Sequence, residues 1–249
     1  GSLYVKATGE STENVYTIHF TTTDSMFIVD GATVSLDVEG GKSNGTSVFN
    51  SQVPANLQTG VQVTNGATLN VYHSGSGTTW LAPTATGYVP YLIVDGNSTV
   101  NFNGTHSIQE IIVDADDATI NFTNVLVGPS ICAGSDFNKS SLNVNGADLN
   151  GVFVKGNINL VDSDFNIVNA SRTNEDRPGL MISNSSETTI TMDSESNISA
   201  DTIGITDQWD GYTDANTAVN ISGGNISGEF TAPMSAADKP TTTAPAYNL

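Results

Sequence analysis

Four aromatic side chains lie close together in the sequence, around a loop-like segment at 73–90. Tyr72 and Tyr91 flank this segment, and Trp80 and Tyr88 lie inside it. Exposed aromatic rings suit stacking against sugar rings, because they offer apolar area and a polar handle at little entropic cost. The segment therefore predicts a carbohydrate-binding surface. The alternative is that Trp80 folds back and covers the edge of the scaffold.

Two further loop-like segments carry residues that could contact a ligand. Trp209 and Tyr212 lie in 206–217, although Trp209 could instead plug the end of the scaffold. The segment 170–179 holds Arg172 and Arg177. If the ligand is an acidic polymer, these arginines together with Lys155 are the groups that would attract it, and salt should weaken the attraction.

Three carboxylates occur within four residues, at Asp114, Asp116 and Asp117. Clustered carboxylates with backbone carbonyls can hold Ca²⁺ through oxygen ligands. The run matches neither an EF-hand loop nor the glycine-rich calcium repeat. Asp residues also satisfy backbone amides in turns. We therefore predict turn residues and no metal or other cofactor, with Ca²⁺ at these three positions as the alternative.

Catalysis on a polysaccharide would need these groups to converge. Hydrolysis requires a pair of carboxylates at a defined separation, and elimination requires a base beside a neutralised carboxylate. Asp116 and Asp117 could supply acids, and Arg172 or Arg177 a base. Their separation in the predicted stack is roughly 10–14 Å, too far to act on one bond. We predict that the chain is not an enzyme, with a polysaccharide lyase or hydrolase as the alternative.

A repeated phrase must position all of these residues. An apolar run, a small polar turn and an alternating strand recur at 27–38, 61–72, 91–102 and 111–122. Such self-similarity is the signature of stacked coils that share one core. The alternating centres of the phrase fall at Val34, Leu69, Val100, Ile120, Leu142, Phe165, Ile190 and Val219.

The local chemistry of the phrase indicates strands joined by sharp corners. Asp-Gly, Asn-Gly and Asp-Asp tolerate left-handed backbone, and the β-branched residues that follow favour strands. In 97–103 and 118–124, Val or Ile and Phe alternate with Asn and Thr. We expect the apolar residues to point inward, and the Asn residues of successive coils to form a polar ladder.

The predicted fold class is therefore all-β, a single-stranded right-handed parallel β-helix (β-solenoid) of about 9–10 coils with loop insertions. Residues 1–26 are predicted as an N-terminal cap and first strand, 27–230 as the β-helix and 231–249 as a Pro/Thr-rich linker or tail. Interruptions at 39–60 and 73–90 are predicted as inserted loops. Cys132, the single cysteine, is expected to be buried.

The charge and hydropathy of the chain limit the classes of partner that it can bind. The net charge is −19, from 26 acidic and 7 basic residues. Such a chain will not coat nucleic acid, because phosphate binding needs clustered Lys and Arg. No stretch is apolar over the roughly 18 residues needed to span a bilayer, so no membrane insertion by this segment is expected. We expect a monomer whose charge keeps an exposed surface protein soluble.

The phrases VDGATVSLDV, VTNGATLNVY and VDADDATINFTNV resemble the pectate-lyase-like β-solenoid regions of bacterial surface adhesins, especially lactobacillal serine-rich-repeat and related wall-anchored proteins. The resemblance covers about 27–230. It implies a non-enzymatic adhesin region that recognises a glycan or glycoprotein on a host or neighbouring surface. It also implies an extracellular location, with attachment to the cell surface through segments outside this sequence.

No catalytic motif is carried over by the resemblance. The paired-Asp signature of polygalacturonases matches only Asp116-Asp117, and its companion Gly-His-Gly and Arg-x-Lys elements are absent. A structural stalk that only projects another domain remains a further alternative. The long aromatic segment at 73–90 counts against it, since a stalk needs only short connections.

Overall fold

Strands account for the regular structure of this chain. The computed structural model describes residues 1–21, 26–41, 46–51, 60–73, 80–81, 91–104, 110–124, 130–132, 134–146, 152–168, 178–183, 187–206, 219–230 and 247–248. Within these ranges the regular elements are all strands, with no helix, so the predicted all-β class is confirmed.

The strands, in chain order, are β1 (Ser2–Gly9), β2 (Val15–Phe20), β3 (Met26–Asp30), β4 (Thr33–Gly40), β5 (Thr46–Ser51), β6 (Gly60–Thr64), β7 (Thr68–His73), β8 (Trp80–Leu81), β9 (Tyr91–Gly104), β10 (Glu110–Thr123), β11 (Ser130–Ile131), β12 (Ser135–Asn138), β13 (Ser141–Asn145), β14 (Val152–Val154), β15 (Asn157–Val161), β16 (Asp164–Val168), β17 (Leu180–Ser183), β18 (Thr188–Met192), β19 (Asn197–Thr206), β20 (Val219–Ser222), β21 (Asn225–Phe230) and β22 (Tyr247–Asn248).

Every pairing between these strands is parallel, and the pairings form long ladders. The first ladder contains nine segments: β1, β4, β7, the second halves of β9 and β10, β13, β16 and the first halves of β19 and β21. The second ladder also contains nine: β3, β6, the first half of β9, the middle of β10, β12, β15, β18, β20 and β22.

A third ladder is shorter and comes in two parts. One part is the separate sheet of β2, β5 and β8. The other contains the start of β10, β11, β14, β17 and the ends of β19 and β21. The chain visits the second, first and third ladders in the same cyclic order throughout, as β3, β4 and β5 show. Each return to a ladder adds one strand beside the previous one.

Two segments that we predicted as inserted loops contain third-ladder strands. The segment 39–60 includes β5, whose Val48 and Phe49 are fully buried. The segment 73–90 includes β8, which pairs with β5. The prediction missed these strands because both lack the turn phrase that marks the other two ladders, and β8 has only two residues.

The core lies between the ladders and is built by alternating residues. Val100 and Phe102 are completely buried, and the intervening Asn101 is half-buried. The rings of Phe102 and Phe122 stack in adjacent strands, with centroids 4.8 Å apart and planes 5° apart. The alternation therefore follows the predicted orientation. Cys132 is buried at 3% exposure, as predicted.

The register confirms most of the predicted repeat positions. Six of them occupy equivalent places in the first ladder, namely Val34, Leu69, Val100, Ile120, Leu142 and Phe165. The prediction was wrong for the last two. Ile190 and Val219 belong to the second ladder, and the first-ladder counterparts are Ile198 and Ile226. Strands of both ladders alternate in the same way, so their sequences look alike.

The predicted asparagine ladder is present on the outer side of the first ladder. Nδ2 of each Asn donates to Oδ1 of the Asn in the preceding strand, at 2.8 to 3.0 Å. Its members, called the Asn ladder below, are Asn70, Asn101, Asn121, Asn143 and Asn166. The amide bonds add to the backbone pairing and hold successive strands in register.

Candidate functional site

The turns that lead from the second ladder into the first, called corners below, share an unusual backbone. Seven of the eight described corners have a residue with positive φ three positions before a first-ladder core residue, as Asp117 precedes Ile120; the corner before Ile198 does not. Gly and Asn or Asp adopt this left-handed region most readily. The residues in this corner column are Gly31, Gly66, Asn97, Asp117, Lys139, Asp162 and Gly223.

A row of buried serines supports the corners from inside. The Ser140 hydroxyl accepts from the backbone N–H of Ala118 at 3.1 Å and donates to the carbonyl of Asn138 at 2.7 Å. Ser163 accepts from the N–H of Ser140 at 3.0 Å. Because each serine satisfies an amide of the preceding strand, the corners are held in a fixed stack.

The outer surface of four consecutive corners forms an open groove of about 260 Å³. Its lining is mainly polar. Four residues of the corner column line it, Asn97, Asp117, Lys139 and Asp162, with Thr119, Ser141 and Asp164 on the adjoining first-ladder strands. Below, this feature is called the corner groove. Its volume is below the range of typical small-molecule sites, which is roughly 300–1,000 Å³.

The charged side chains of the corner groove are available to a ligand. Among the described residues, the side chains of Asp117, Lys139 and Asp162 have no hydrogen-bond or ion-pair partner, and all three are exposed. Oδ1 of Asp164 accepts from Nδ2 of Asn197 at 2.8 Å. The three carboxylates outnumber the single ammonium, so the groove is formally negative.

A second group of carboxylates lies on the second ladder, at Asp95, Asp114, Asp116 and Asp136. Partial burial raises the pKa of the Asp114 carboxyl, and the neighbouring charges of Asp136, Asp116 and Asp95 raise it further. Two of these neighbours are bound by amides. Nδ2 of Asn138 donates to Asp116, and Nδ2 of Asn159 donates to Asp136, each at 2.7 Å.

This arrangement sets Asp117 apart from Asp114 and Asp116, the other two carboxylates considered for Ca²⁺. Asp114 and Asp116 alternate along the second ladder, whereas Asp117 turns into the corner groove. Within the described ranges, no group of three or more His, Cys, Asp or Glu side chains could hold a metal ion. The bond from Asn138 to Asp116 joins two side chains of neighbouring strands and is not a bond to a turn amide, so the predicted role of this run in turns stays a prediction.

Among the aromatic residues predicted to bind a ligand, Tyr72 and Tyr91 are described fully. Tyr72 is near the end of β7 on the outer side of the first ladder and is 37% exposed. Tyr91 begins β9 in the second ladder and is half-buried. The backbone of Trp80 lies in β8 of the third ladder. The three residues thus lie on three different ladders. A binding surface that they form together stays a prediction.

The other predicted ligand contacts lie outside the described residues. These are Tyr88, Arg172, Arg177, Trp209 and Tyr212. Lys155 is described; it follows β14 and is half-buried.

Two buried polar atoms occur near the aromatic segment, on β5 beside β8. Oγ of Ser47 and Oδ1 of Asn50 have no hydrogen-bond partner, although both residues are at most 2% exposed. A buried polar group without a partner costs folding free energy. Both atoms belong to β5, the strand that pairs with β8, and Val48 and Phe49 between them are part of the hydrophobic core.

Sequence reasoning missed Lys139, Asp162 and the groove that they line. A usable signal exists, because the corner column has a constant offset from the first-ladder core residues. A lysine at a position otherwise taken by Gly, Asn or Asp is out of pattern. The offset becomes visible only after the coils are aligned in the correct register.

Comparisons of the chain with protein-family models, with curated proteins and with solved structures found no match. In the part of the chain that the structure describes, no helix has the length and apolarity to cross a membrane.

Proposed function

We propose that this chain is the non-enzymatic ligand-binding region of an extracellular adhesin and recognises a glycan. The observation that carries the proposal is the open polar groove across four consecutive corners, whose central charged groups have no partner in the described part of the protein. Such a surface offers hydrogen bonds to a hydroxyl-rich ligand while the ladders beneath it stay fixed.

The proposed architecture is a right-handed parallel β-helix. Its support is the cyclic order of the three ladders and the parallel pairing of every strand. Right-handedness follows the rule for crossovers between parallel strands in one sheet. Nine segments in one ladder would make a rod about 40 Å long at the usual strand spacing. A rigid rod displays a binding surface at a fixed distance from its attachment point.

The non-enzymatic part of the proposal rests on how the carboxylates are used. Asp116, Asp136 and Asp164 each accept a hydrogen bond from an asparagine of a neighbouring strand. These hydrogen bonds give the three carboxylates a structural role, as acceptors between neighbouring strands. The resemblance of the phrases to adhesin regions, together with the net charge of −19, supports an exposed extracellular location.

A polysaccharide hydrolase is the second candidate, because two carboxylates without partners among the described residues line one groove, although their spacing exceeds that of known catalytic pairs. Asp117 and Asp162 lie in the same groove, two strands apart in the corner column. Two strand spacings are about 10 Å. This is slightly more than the roughly 6.5–9.5 Å that separates the carboxyl groups of inverting glycosidases.

A glycan array can separate these functions. The purified protein is applied to neutral, amino and acidic glycans at acidic and neutral pH, with and without calcium. The same glycans are incubated with it and assayed for new reducing ends and unsaturated uronates. We expect binding to at least one glycan class without products. Product release would establish an enzyme instead, and no binding under any condition would leave the stalk.

A further inference from the structure

We infer that the corner groove is the saccharide site, and that it takes a neutral oligosaccharide held by Asp117, Lys139 and Asp162. The inference rests on the proposed function, because it names the place and the ligand class for glycan binding. It assigns binding to corner residues rather than to the aromatic segment at 73–90.

The first argument compares the hydrogen bonding of these three side chains with that of their neighbours. Polar side chains on the adjoining strands are bound to one another, as in the Asn ladder and in the bond from Asn197 to Asp164. Asp117, Lys139 and Asp162 have no such partner among the described residues. Their hydrogen-bonding capacity is therefore free for a ligand, and the serines below hold their backbone in place.

The second argument is the order of charges along the groove. Asp117, Lys139 and Asp162 follow one another on successive corners, so an ammonium lies between two carboxylates. Neighbouring strands are about 4.8 Å apart. No ion pair forms among these three side chains, so the ammonium nitrogen and the carboxylate oxygens are more than 4.0 Å apart. A hydroxyl group can enter between them, donating to a carboxylate and accepting from the ammonium.

The third argument excludes other ligand classes. An acidic oligosaccharide would meet an excess of carboxylates, both in the groove and over the whole chain. A metal ion lacks a suitable ligand set within the described residues. Apolar ligands gain little from a lining of hydroxyl, amide and charged groups. A neutral sugar supplies many hydroxyl donors and carries no charge penalty.

The test is a titration followed by NMR of the backbone amides. The probes are maltotetraose, mannotetraose and galactotetraose, with oligogalacturonate, spermidine and calcium chloride as competitors of other classes. We expect at least one neutral tetrasaccharide to shift the amides of Asp117, Lys139 and Asp162, with an affinity that salt leaves unchanged. Shifts by spermidine or calcium alone would overturn the inference in favour of a cation site, and shifts by oligogalacturonate alone in favour of an acidic ligand.

Variants that preserve the corner backbone make the test specific. Asp117→Asn and Lys139→Asn keep a residue that tolerates positive φ, and each should weaken binding about tenfold by removing a charge-assisted hydrogen bond. The control is Glu195→Gln, the same type of charge removal at an exposed corner outside the groove. Thermal unfolding checks that each variant is folded.

The outcomes distinguish this inference from the proposed function. If glycans bind on the array but the groove amides do not move and both groove variants bind normally, the corner groove is wrong and the proposed function stands. If no glycan binds the unmodified protein anywhere, both fail. Equal losses in Glu195→Gln and Asp117→Asn would also reject the groove, because the effect would then be one of overall charge.

Discussion

Asn121 donates its amide hydrogen to Oδ1 of Asn101 at 2.8 Å, across 20 residues of chain. The next bond of the Asn ladder, from Asn143 to Asn121, measures 2.9 Å and spans 22 residues. The same side chain thus accepts from one neighbour and donates to the other. Because the three inner members, Asn101, Asn121 and Asn143, share this pattern, the outer side chains have the same register as the backbone pairing.

Removing the central member should destabilise the stack. Asn121→Ala breaks two amide bonds at a half-buried position, and we expect the free energy of unfolding to fall by about 1–3 kcal/mol. Urea unfolding followed by circular dichroism measures it. Thr123→Ala, at an exposed position of the same strand, is the matched control and should change stability by less than about 0.5 kcal/mol. Equal losses in the two variants would remove the Asn ladder as a source of stability.

The buried serines should stabilise the protein by accepting hydrogen bonds from backbone amides. Ser163→Ala leaves the backbone N–H of Ser140 without its acceptor, in a site where Ser163 is 1% exposed. We expect a loss of about 1–3 kcal/mol in the free energy of unfolding. Ser199→Ala, on the outer side of β19, serves as the control. A negligible change in Ser163→Ala would mean that the corner relaxes and the amide finds another acceptor.

Lys139 should lower the stability of the protein, although its ammonium stays available to a ligand. Its φ of 47° lies in the left-handed region, which asparagine tolerates better than lysine. We expect Lys139→Asn to raise the free energy of unfolding by about 1 kcal/mol. Lys139→Ala removes the same ammonium but gains no such tolerance, so it should bring no increase. A thermal unfolding series of the three proteins checks the order, and an increase for alanine would contradict the backbone explanation.

Asp114 should make stability depend on pH. Burial and then the charges of Asp136, Asp116 and Asp95 raise its pKa in the folded protein. The folded state therefore binds this proton more tightly than the unfolded state. Its contribution favours folding below the ordinary Asp pKa of about 3.9 and is lost as pH rises through the raised value.

The neutral variant Asp114→Asn tests this sign. It should raise the urea midpoint at about pH 7 and raise it less at about pH 3, where the carboxyl is already protonated. Glu187→Gln, an exposed carboxylate away from this group, is the control for a general charge effect. A larger gain at the lower pH would reverse the sign and reject the explanation.

Some features of the fold were predictable because their causes are local. Alternation in 97–103 sends Val100 and Phe102 inward, since successive side chains of a strand point to opposite faces. Asp117 and Gly31 sit at corners because they tolerate positive φ. The Asn ladder was predictable because each Asn lies one position after a first-ladder core residue. Strand alternation therefore places it on the outer side in every coil.

Other features have causes that no short window contains. Val152, Phe153 and Val154 are all buried, so β14 shows no alternation that would mark it as a strand. Ile190 was misplaced because a second-ladder strand and a first-ladder strand have the same pattern. The corner groove depends on stacking, which brings Asn97 and Asp164 to one surface although a long stretch of chain separates them.

By itself the sequence determined that this protein is all-β, where most of its first-ladder strands lie and which Asp, Asn and Gly residues turn some of the corners, because local backbone preference and burial decide these. Only the tertiary structure decided which strand joins which ladder and which side chains meet at the corners. The physical reason is that hydrogen bonds between coils set the register, and the register places Asp117, Lys139 and Asp162 side by side.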